Sequence, residues 1–202
     1  DIKKDEIVID IGANIGMYTL MSGVGREAIV YGFEPEASNY HLLVKNIKLN
    51  SMHDRIKTYC AGVLDYDGFS DLNIDDEVDD TLGGSNYSVD EEVGFDLKPM
   101  KVGYKQGINV ITLDSFCRKM NIKPDHIKID VDGLEHRVIK GAVESILQAK
   151  TIIIELNTNL KEHIELVSFI KSFGFKLDET QVNQSLRKDG TYINVGEHLF
   201  YK

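Results

Sequence analysis

Short apolar runs rich in β-branched residues alternate along this chain with segments of helical periodicity, and no other feature limits the fold as strongly. The apolar runs lie at 7–11, 28–33, 56–61, 127–131 and 152–156, with shorter strand-like stretches at 69–74, 110–113, 175–177 and 198–201. The helical segments lie at 15–24, 38–49, 115–120, 134–149 and 164–173. Several runs are apolar on both faces, which is typical of parallel strands covered by helices on both sides. The pattern predicts an α/β fold with a doubly wound, largely parallel sheet.

Length and charge constrain how the chain is organised. Its 202 residues fit a single domain spanning 1–202. The formal net charge of −10 argues against a nucleic-acid backbone as the main partner, because proteins that bind one concentrate Lys and Arg. Eight of the acidic residues and no basic residue lie within 75–92, so this segment's −8 leaves only −2 for the rest of the chain. Residues 75–107, which show no clean period, are predicted to form an acidic insertion without regular structure.

The two cysteines, Cys60 and Cys117, lie far apart in the sequence and form no Cys-x-x-Cys motif. This usage suits a reducing compartment, so a cytoplasmic location is expected. No apolar stretch approaches the ~18 residues of a transmembrane helix, so no membrane span is expected.

A glycine turn closes the first strand, at the edge of the sheet where α/β folds bind their ligands. Residues 10–16 read Asp-Ile-Gly-Ala-Asn-Ile-Gly, and the helix that follows offers unpaired N–H groups to an anion. Asn14 and Met17 stand where the dinucleotide fingerprint has its second and third glycines, which counts against a pyrophosphate. Glu34 lies 22 residues after Gly12, at the end of the second strand, where a carboxylate can accept both hydroxyls of an adenosine ribose. Turn and carboxylate together predict a site for a nucleoside-type cofactor.

Five segments of the chain resemble the FkbM family of S-adenosylmethionine-dependent methyltransferases. Residues 8–19, Val-Ile-Asp-Ile-Gly-Ala-Asn-Ile-Gly-Met-Tyr-Thr, resemble the family's first motif, and Phe33-Glu34-Pro35 resembles its second. Residues 127–135, Ile-Lys-Ile-Asp-Val-Asp-Gly-Leu-Glu, with Lys-Gly-Ala at 140–142, resemble its most distinctive block. Residues 111–116 and 154–157 are similar to its mid-domain segment and to the strand after that block. The similarity covers about residues 6–201 apart from the acidic segment.

The resemblance implies a class I methyltransferase sheet of seven strands, mostly parallel with the last strand antiparallel, and S-adenosylmethionine as methyl donor. It places the donor's amino-acid end on the turn at 12–16, its ribose on Glu34, and its adenine beside Cys60 and Ala61. The donor-binding residues that it implies are Asp10, Gly12, Ala13, Asn14, Gly16, Tyr18, Thr19, Glu34, Pro35, Cys60, Ala61 and Asp130.

Three carboxylates, Asp130, Asp132 and Glu135, cluster where the fourth strand ends, with the two aspartates on one side of an extended segment. They can attract the cationic donor, orient an acceptor hydroxyl or its base, or bind a divalent metal. A metal is not part of the prediction. Glu135 can also be an acidic residue at a helix start, where the helix dipole favours it.

His136 follows this cluster and can act as the base that an alcohol acceptor needs, or lie as a histidine on a helix surface. The candidate catalytic residues are therefore Asp130, Asp132, Glu135 and His136. Glu155 and Asn157 end the fifth strand and can face an acceptor, and His198 is a further candidate base. The remaining histidines are expected to be surface or capping residues; they are His41, His53, His126 and His163.

The predicted function is that of an O-methyltransferase that acts on a hydroxyl of a sugar, a glycoconjugate or a related natural product, as in polysaccharide biosynthesis. The expected partner is a saccharide or small-molecule acceptor, with no nucleic acid. An NAD-type oxidoreductase and a cofactor-binding module without catalysis are the alternatives. The acidic insertion lies between the third strand and the strand-four block, so it is either a lid or acceptor-side element, or a solvated loop.

Overall fold

Strands and helices alternate along the chain in the computed structural model, which describes residues 1–75 and 87–202. The strands are β1 Ile7–Ile11, β2 Ile29–Phe33, β3 Ile56–Tyr59, β4 Gly62–Val63, β5 Gly68–Asp75, β6 Tyr87–Val89, β7 Val102–Ile111, β8 His126–Ile129, β9 Thr151–Asn157, β10 Lys176–Leu177 and β11 Val195–Tyr201. The helices are α1 Met17–Arg26, α2 Ala37–Leu49, α3 Leu113–Met120, α4 Glu135–Lys140, α5 Val143–Gln148, α6 Lys161–Ser172 and α7 Glu179–Ser185. In the described part of the chain, no helix has both the length and the apolar character that crossing a membrane requires.

Seven strands form one sheet in the order β10-β11-β9-β8-β1-β2-β3. Neighbours from β9 to β3 run parallel, whereas β11 runs antiparallel to both β9 and β10. The predicted doubly wound sheet of seven strands with an antiparallel last strand is confirmed. Because β1 lies between β2 and β8 and all three run the same way, their carboxyl ends meet at one edge. That edge brings together the turns that carry Gly12, Glu34 and Asp130.

Period-two alternation divides the strand side chains between two apolar clusters, because successive residues of a strand point to opposite faces. The smaller cluster joins strands β1, β2 and β3 to helix α2 through Val8, Val30, Ile56, Leu43 and Ile47. The residues next to these in the strands, such as Ile9 and Tyr31, belong to the larger cluster. Burial of each large aliphatic side chain contributes roughly 1.5–3 kcal/mol, so packing on both faces holds the sheet together.

The predicted acidic insertion contains regular structure that its sequence does not signal. Strands β4, β7, β5 and β6 form a second sheet in that order, and β7 covers Val102–Ile111 instead of the predicted 110–113. The prediction of an irregular 75–107 was wrong because β7 is held by its backbone ladder to β5 and leaves most of its outer residues exposed. Residues 76–86, with four of the eight acidic residues of 75–92, lie outside the described part of the chain.

Arg137 on α4 connects the middle of this insertion to the main domain. Its guanidinium lies 2.7 Å from Asp65, 2.9 Å from Asp90 and 3.1 Å from Glu91, and its side chain is only 14% exposed. This partly buried cation therefore neutralises part of the charge that makes the insertion acidic.

The predicted helix over 134–149 is two helices, α4 and α5, separated at Gly141 and Ala142. A Cβ on Gly141 would lie 2.1 Å from the carbonyl oxygen of Leu64, so the chain breaks where another backbone segment packs against it. Asp114 of α3 then caps the second helix, since its carboxylate accepts from the N–H groups of Glu144 at 3.0 Å and Ser145 at 2.8 Å. The single-helix prediction was wrong because this break comes from tertiary contact.

Gly141→Ala should lower the free energy of unfolding by about 2 kcal/mol or more, because the new methyl group collides with the Leu64 carbonyl. Gly25→Ala, near the end of α1, is the control, because a Cβ there meets nothing within 4 Å. That change should leave stability unchanged or raise it by up to ~1 kcal/mol. Urea unfolding measures both variants, and equal effects would contradict this explanation of the helix break.

Candidate functional site

The turn after β1 is shaped by two glycines in left-handed conformations, Gly12 at φ 75° and Gly16 at φ 100°. A Cβ on Gly12 would lie 1.7 Å from the backbone oxygen of Asp130, so the close approach that this glycine permits is to the end of β8. The N–H groups of Gly12 and Ala13 both donate to the Phe33 carbonyl, at 3.0 and 2.9 Å. The turn is thereby joined to both neighbouring strand ends. Helix α1 starts after it, with Gly16 as an N-cap that brings no side chain.

Lys128 lies beneath this turn, and sequence reasoning missed it. Its Nζ donates to the Gly12 carbonyl at 2.7 Å and lies 3.4 Å from a carboxylate oxygen of Asp10 and 3.4 Å from one of Asp130. Burial opposes the charge, but the two carboxylates outweigh it and raise the pKa of Lys128 above its usual value. The available signal was a lysine within the otherwise apolar run at 127–131.

Thr19 and Tyr18, on the first turn of α1, complete the surroundings of this lysine. The Thr19 hydroxyl donates to Asp10 at 2.6 Å, and Lys128 Nζ lies 5.3 Å from the centre of the Tyr18 ring. The Tyr18 hydroxyl donates to Glu197 of β11. Burial, followed by this carboxylate, raises the pKa of Tyr18. Thr19 therefore supports the turn at Asp10, whereas Tyr18 links α1 to β11.

Glu34 directly follows β2 and is fully buried, at 0% exposure. One oxygen accepts from the Glu36 N–H at 3.0 Å and the Tyr87 hydroxyl at 2.8 Å, and the other accepts from the Asn14 N–H at 2.8 Å. Burial raises the pKa of Glu34 to about 7 against the opposing effect of these hydrogen bonds. The group can therefore change charge near neutral pH.

A narrow cleft runs beside Glu34. Its lining includes Gly12, Pro35, Ala61, Tyr87 and Asp130, and its volume is about 20 Å³, enough for roughly one water molecule. The Pro35 carbonyl accepts from Gln106 at 2.8 Å, and the sulfur of Cys60 lies 3.7 Å from the same oxygen. Of the twelve predicted donor-binding residues, four line this cleft, namely Gly12, Pro35, Ala61 and Asp130. Tyr87, which sequence reasoning did not select, lines it too.

The carboxylates after β8 have separate surroundings. Asp132 and Gly133 have φ values of 54° and 104°, so the chain turns sharply between Asp130 and Glu135. Burial raises the pKa of Asp130 and raises that of Asp132 well above its usual range, and nearby carboxylates add to the effect on Asp132. Glu135, 2% exposed, accepts from the Val131 and Gly133 N–H groups at 3.2 and 3.4 Å. In the described residues, no three His, Cys, Asp or Glu side chains are grouped so as to hold a metal ion.

His163 packs against this turn from α6. Its Nδ1 accepts from the Asn157 N–H at 3.0 Å, and its Nε2 lies 3.1 Å from the Gly133 oxygen and 3.2 Å from Glu135. Accepting at Nδ1 places the proton on Nε2 and makes the ring a neutral bridge between β9 and the turn. The expectation of a surface or capping histidine was wrong here, because His163 is 2% exposed.

His126 contradicts the same expectation. It is 6% exposed, with its ring nitrogens 2.8 Å from Glu6 and 2.7 Å from Thr151. These two partners replace the water that a surface histidine would bind. His41 and His53 are exposed, as expected.

His136 and His198 lie outside the lining of the cleft. His136 faces a groove of about 370 Å³ between α4 and α6, where burial lowers its pKa. His198 is buried within β11, and its Nδ1 lies 2.9 Å from the Gly196 carbonyl oxygen.

Glu155 and Asn157, near the end of β9, have different partners. Glu155 pairs across the strands with Glu197 and lies 3.2 Å from Arg187, and burial raises its pKa to about 7. The side-chain oxygen of Asn157 instead accepts from the N–H of Asn159 at 3.1 Å, so it stabilises the loop that follows.

Comparison with known proteins gives one family and several similar structures. A family model described as the methyltransferase FkbM domain matches residues 10–177. The crystal structure of methyltransferase FkbM from Methylobacillus flagellatus KT is similar over 100% of this chain and 44% of its own, with a TM-score of 0.64 and 17% identity. A precorrin-6y C5,15-methyltransferase from Geobacter metallireducens GS-15 is similar over 100% of this chain and 81% of its own, with a TM-score of 0.54 and 10% identity. At these identities the structures show a shared fold.

One curated relative is a tRNA(Phe) (4-demethylwyosine(37)-C(7)) aminocarboxypropyltransferase from Pyrococcus horikoshii. It is 36% identical over 66 residues, which is 33% of this chain and 24% of the relative. The match therefore spans about a quarter of that protein's length.

Lys128→Met should lower the free energy of unfolding by roughly 3 kcal/mol or more, because the carboxylates of Asp10 and Asp130 then share a site without their cation. Lys161, whose side chain is 84% exposed and lies 3.4 Å from Glu165, is the control. Lys161→Met should change stability by less than ~0.5 kcal/mol. Urea unfolding at pH 7 tests both, and losses of equal size would show that Lys128 has no special role.

Proposed function

The chain belongs to the FkbM methyltransferase family, and on that premise we propose that it transfers a methyl group from S-adenosylmethionine to a hydroxyl of a sugar, a glycoconjugate or a related natural product. The observation that carries the proposal is the buried Glu34 carboxylate beside the turn at 12–16, at the carboxyl end of the strand next to β1. In a doubly wound sheet this is the position that takes the ribose of a nucleoside ligand. We propose that residues 1–202 form one methyltransferase domain that carries the acidic insertion.

The residues present suit this donor in their chemistry. Glu34 would accept the ribose hydroxyls, the turn and the start of α1 would hold the amino-acid end, and Cys60 and Ala61 would flank the adenine. When bound, the donor supplies a methyl group on a positively charged sulfur. The carboxylate of Asp130, whose side chain is 38% exposed beside Gly12, would attract that charge.

Asp132 is the proposed base for the acceptor hydroxyl. It lies in the turn after β8, two residues beyond Asp130, and a carboxylate there can take up the proton of a hydroxyl. Glu135 and His136 receive other roles: Glu135 holds the turn through the Val131 and Gly133 N–H groups, and His136 faces the groove between α4 and α6. Positioning is expected to supply much of the rate, because the donor's methyl group is already activated.

The proposed acceptor is a saccharide or a small molecule. The Pyrococcus relative is named for a tRNA, but a net charge of −10 disfavours contact with a phosphate backbone. The proposed location is the cytoplasm, which suits two cysteines that are both free. The NAD-type alternative is disfavoured by Asn14 and Met17 in the turn.

Calorimetry should detect binding of S-adenosylmethionine by the wild-type chain and no comparable binding of NAD. Gly12→Asp should abolish donor binding, because its side chain collides with the Asp130 carbonyl and displaces the turn. Gly25→Asp introduces the same charge where a Cβ meets nothing within 4 Å, and it should bind like the wild type. Absence of donor binding by the wild type would contradict the proposed function.

Asp132→Asn should reduce methyl transfer by about 10²- to 10⁴-fold while leaving the Kd for the donor unchanged, because it removes the proposed base. Asp54→Asn, at a side chain that is 90% exposed, is the control and should keep full activity. Mass spectrometry would detect methylated products from nucleotide sugars, oligosaccharides and a tRNA transcript. Methylation of the tRNA alone would overturn the proposed acceptor class.

A further inference from the structure

Tyr87 is the one side chain from the acidic insertion that hydrogen-bonds to Glu34 in the described residues. Its hydroxyl donates to Glu34 at 2.8 Å, and both Tyr87 and Val89 line the cleft beside that carboxylate. Strand β6, to which they belong, is three residues long and pairs with the outer edge of β5. The insertion therefore reaches the carboxylate to which the proposed function assigns the ribose.

The cleft that Tyr87 and Val89 line is too small for a nucleoside. Its volume is about 20 Å³. Pockets that bind small molecules of this class commonly measure ~300–1,000 Å³. Something in the lining must move before a donor can enter.

The hydrogen bonds of Glu34 indicate which contact gives way. A carboxylate offers about four lone-pair positions, and three are taken by the N–H groups of Asn14 and Glu36 and by the Tyr87 hydroxyl. The two N–H groups belong to the β1 turn and to the entry into α2, which the main sheet fixes. The Tyr87 hydroxyl comes from an edge strand, so its position is the one that a ribose hydroxyl can take over.

On the basis of the proposed function, we propose that the Tyr87 hydroxyl stands in for a ribose hydroxyl on Glu34 in the free protein and that the donor displaces it on binding. Donor binding then requires β6 to withdraw from the cleft. In the free protein the same contact keeps the buried carboxylate hydrogen-bonded.

The pairing of β6 allows this movement. β6 contacts β5 through three residue pairs, Leu72 with Val89, Asn73 with Ser88 and Ile74 with Tyr87, whereas β5 pairs with β7 along its whole length. β6 can therefore leave without breaking the β5–β7 ladder.

The residues just after β6 are anchored. Arg137 holds Asp90 at 2.9 Å and Glu91 at 3.1 Å, and the Asn73 side chain donates to the Glu91 carbonyl at 3.0 Å. Asp90 has a φ of 71°. The pivot is therefore at Asp90, and the cation on α4 limits how far the segment travels.

Calorimetric titration with S-adenosylmethionine tests the proposal. Tyr87→Phe removes the competing hydroxyl and keeps the ring, so the Kd for the donor should fall about tenfold. Tyr104→Phe, at an exposed tyrosine of β7, should leave the Kd unchanged. In a Glu34→Gln background the gain from Tyr87→Phe should disappear, because the two residues act through one contact.

Hydrogen exchange gives a readout that is independent of affinity. The amides of residues 87–89 should lose protection when the donor binds to the wild type, while those of β5 and β7 keep theirs. If Tyr87→Phe binds the donor with an unchanged or higher Kd, the inference is overturned and the proposed function stands. The same holds if the donor binds while the amides of residues 87–89 keep their full protection from exchange. Absence of donor binding by the wild type and by Tyr87→Phe would overturn both.

Discussion

The contact between Gly12 and the carbonyl of Asp130 is the constraint on which the site depends. No side chain fits there, since a Cβ would lie 1.7 Å from that oxygen. Lys128 reinforces the contact from below by donating to the Gly12 carbonyl while it faces the carboxylates of Asp10 and Asp130. The ends of β1 and β8 are thereby held in contact. This contact sets the positions of the candidate residues at those two strand ends.

Glu34 gives the site its second fixed point and connects it to the acidic insertion. A fully buried carboxylate is costly unless it is hydrogen-bonded, and Glu34 meets that requirement with donors from the β1 turn, from α2 and from β6. The insertion therefore helps to stabilise the free protein as well as bordering the cleft. Its negative charge is partly balanced by Arg137, which joins it to the helix after Asp132.

Local signals in the sequence predicted a largely parallel, doubly wound sheet and residues at its carboxyl edge, whereas the seven strands and the antiparallel last strand were predicted from the family resemblance. The β-branched runs predicted the central strands, and Gly12, Glu34 and Asp130 follow three of them. Features that depend on tertiary contact were not predictable in this way. The break at Gly141 is caused by the Leu64 carbonyl, β7 is held by pairing with β5, and His163 is buried by partners from two other elements. Tyr87 reaches Glu34 only through the pairing of β6 with β5, which no local pattern encodes.

The central claim is that ionised Glu34 binds the ribose of S-adenosylmethionine. Burial raises the pKa of this carboxyl group to about 7, so a proton must leave it before the donor can bind at lower pH. The most direct test is the Kd for S-adenosylmethionine measured between pH 5 and pH 8 in the wild type and in Glu34→Gln. We expect wild-type affinity to fall by up to about tenfold per pH unit below pH 7, and the affinity of Glu34→Gln to be weaker and nearly constant over that range. Equal affinities with the same pH dependence in both proteins would contradict the account.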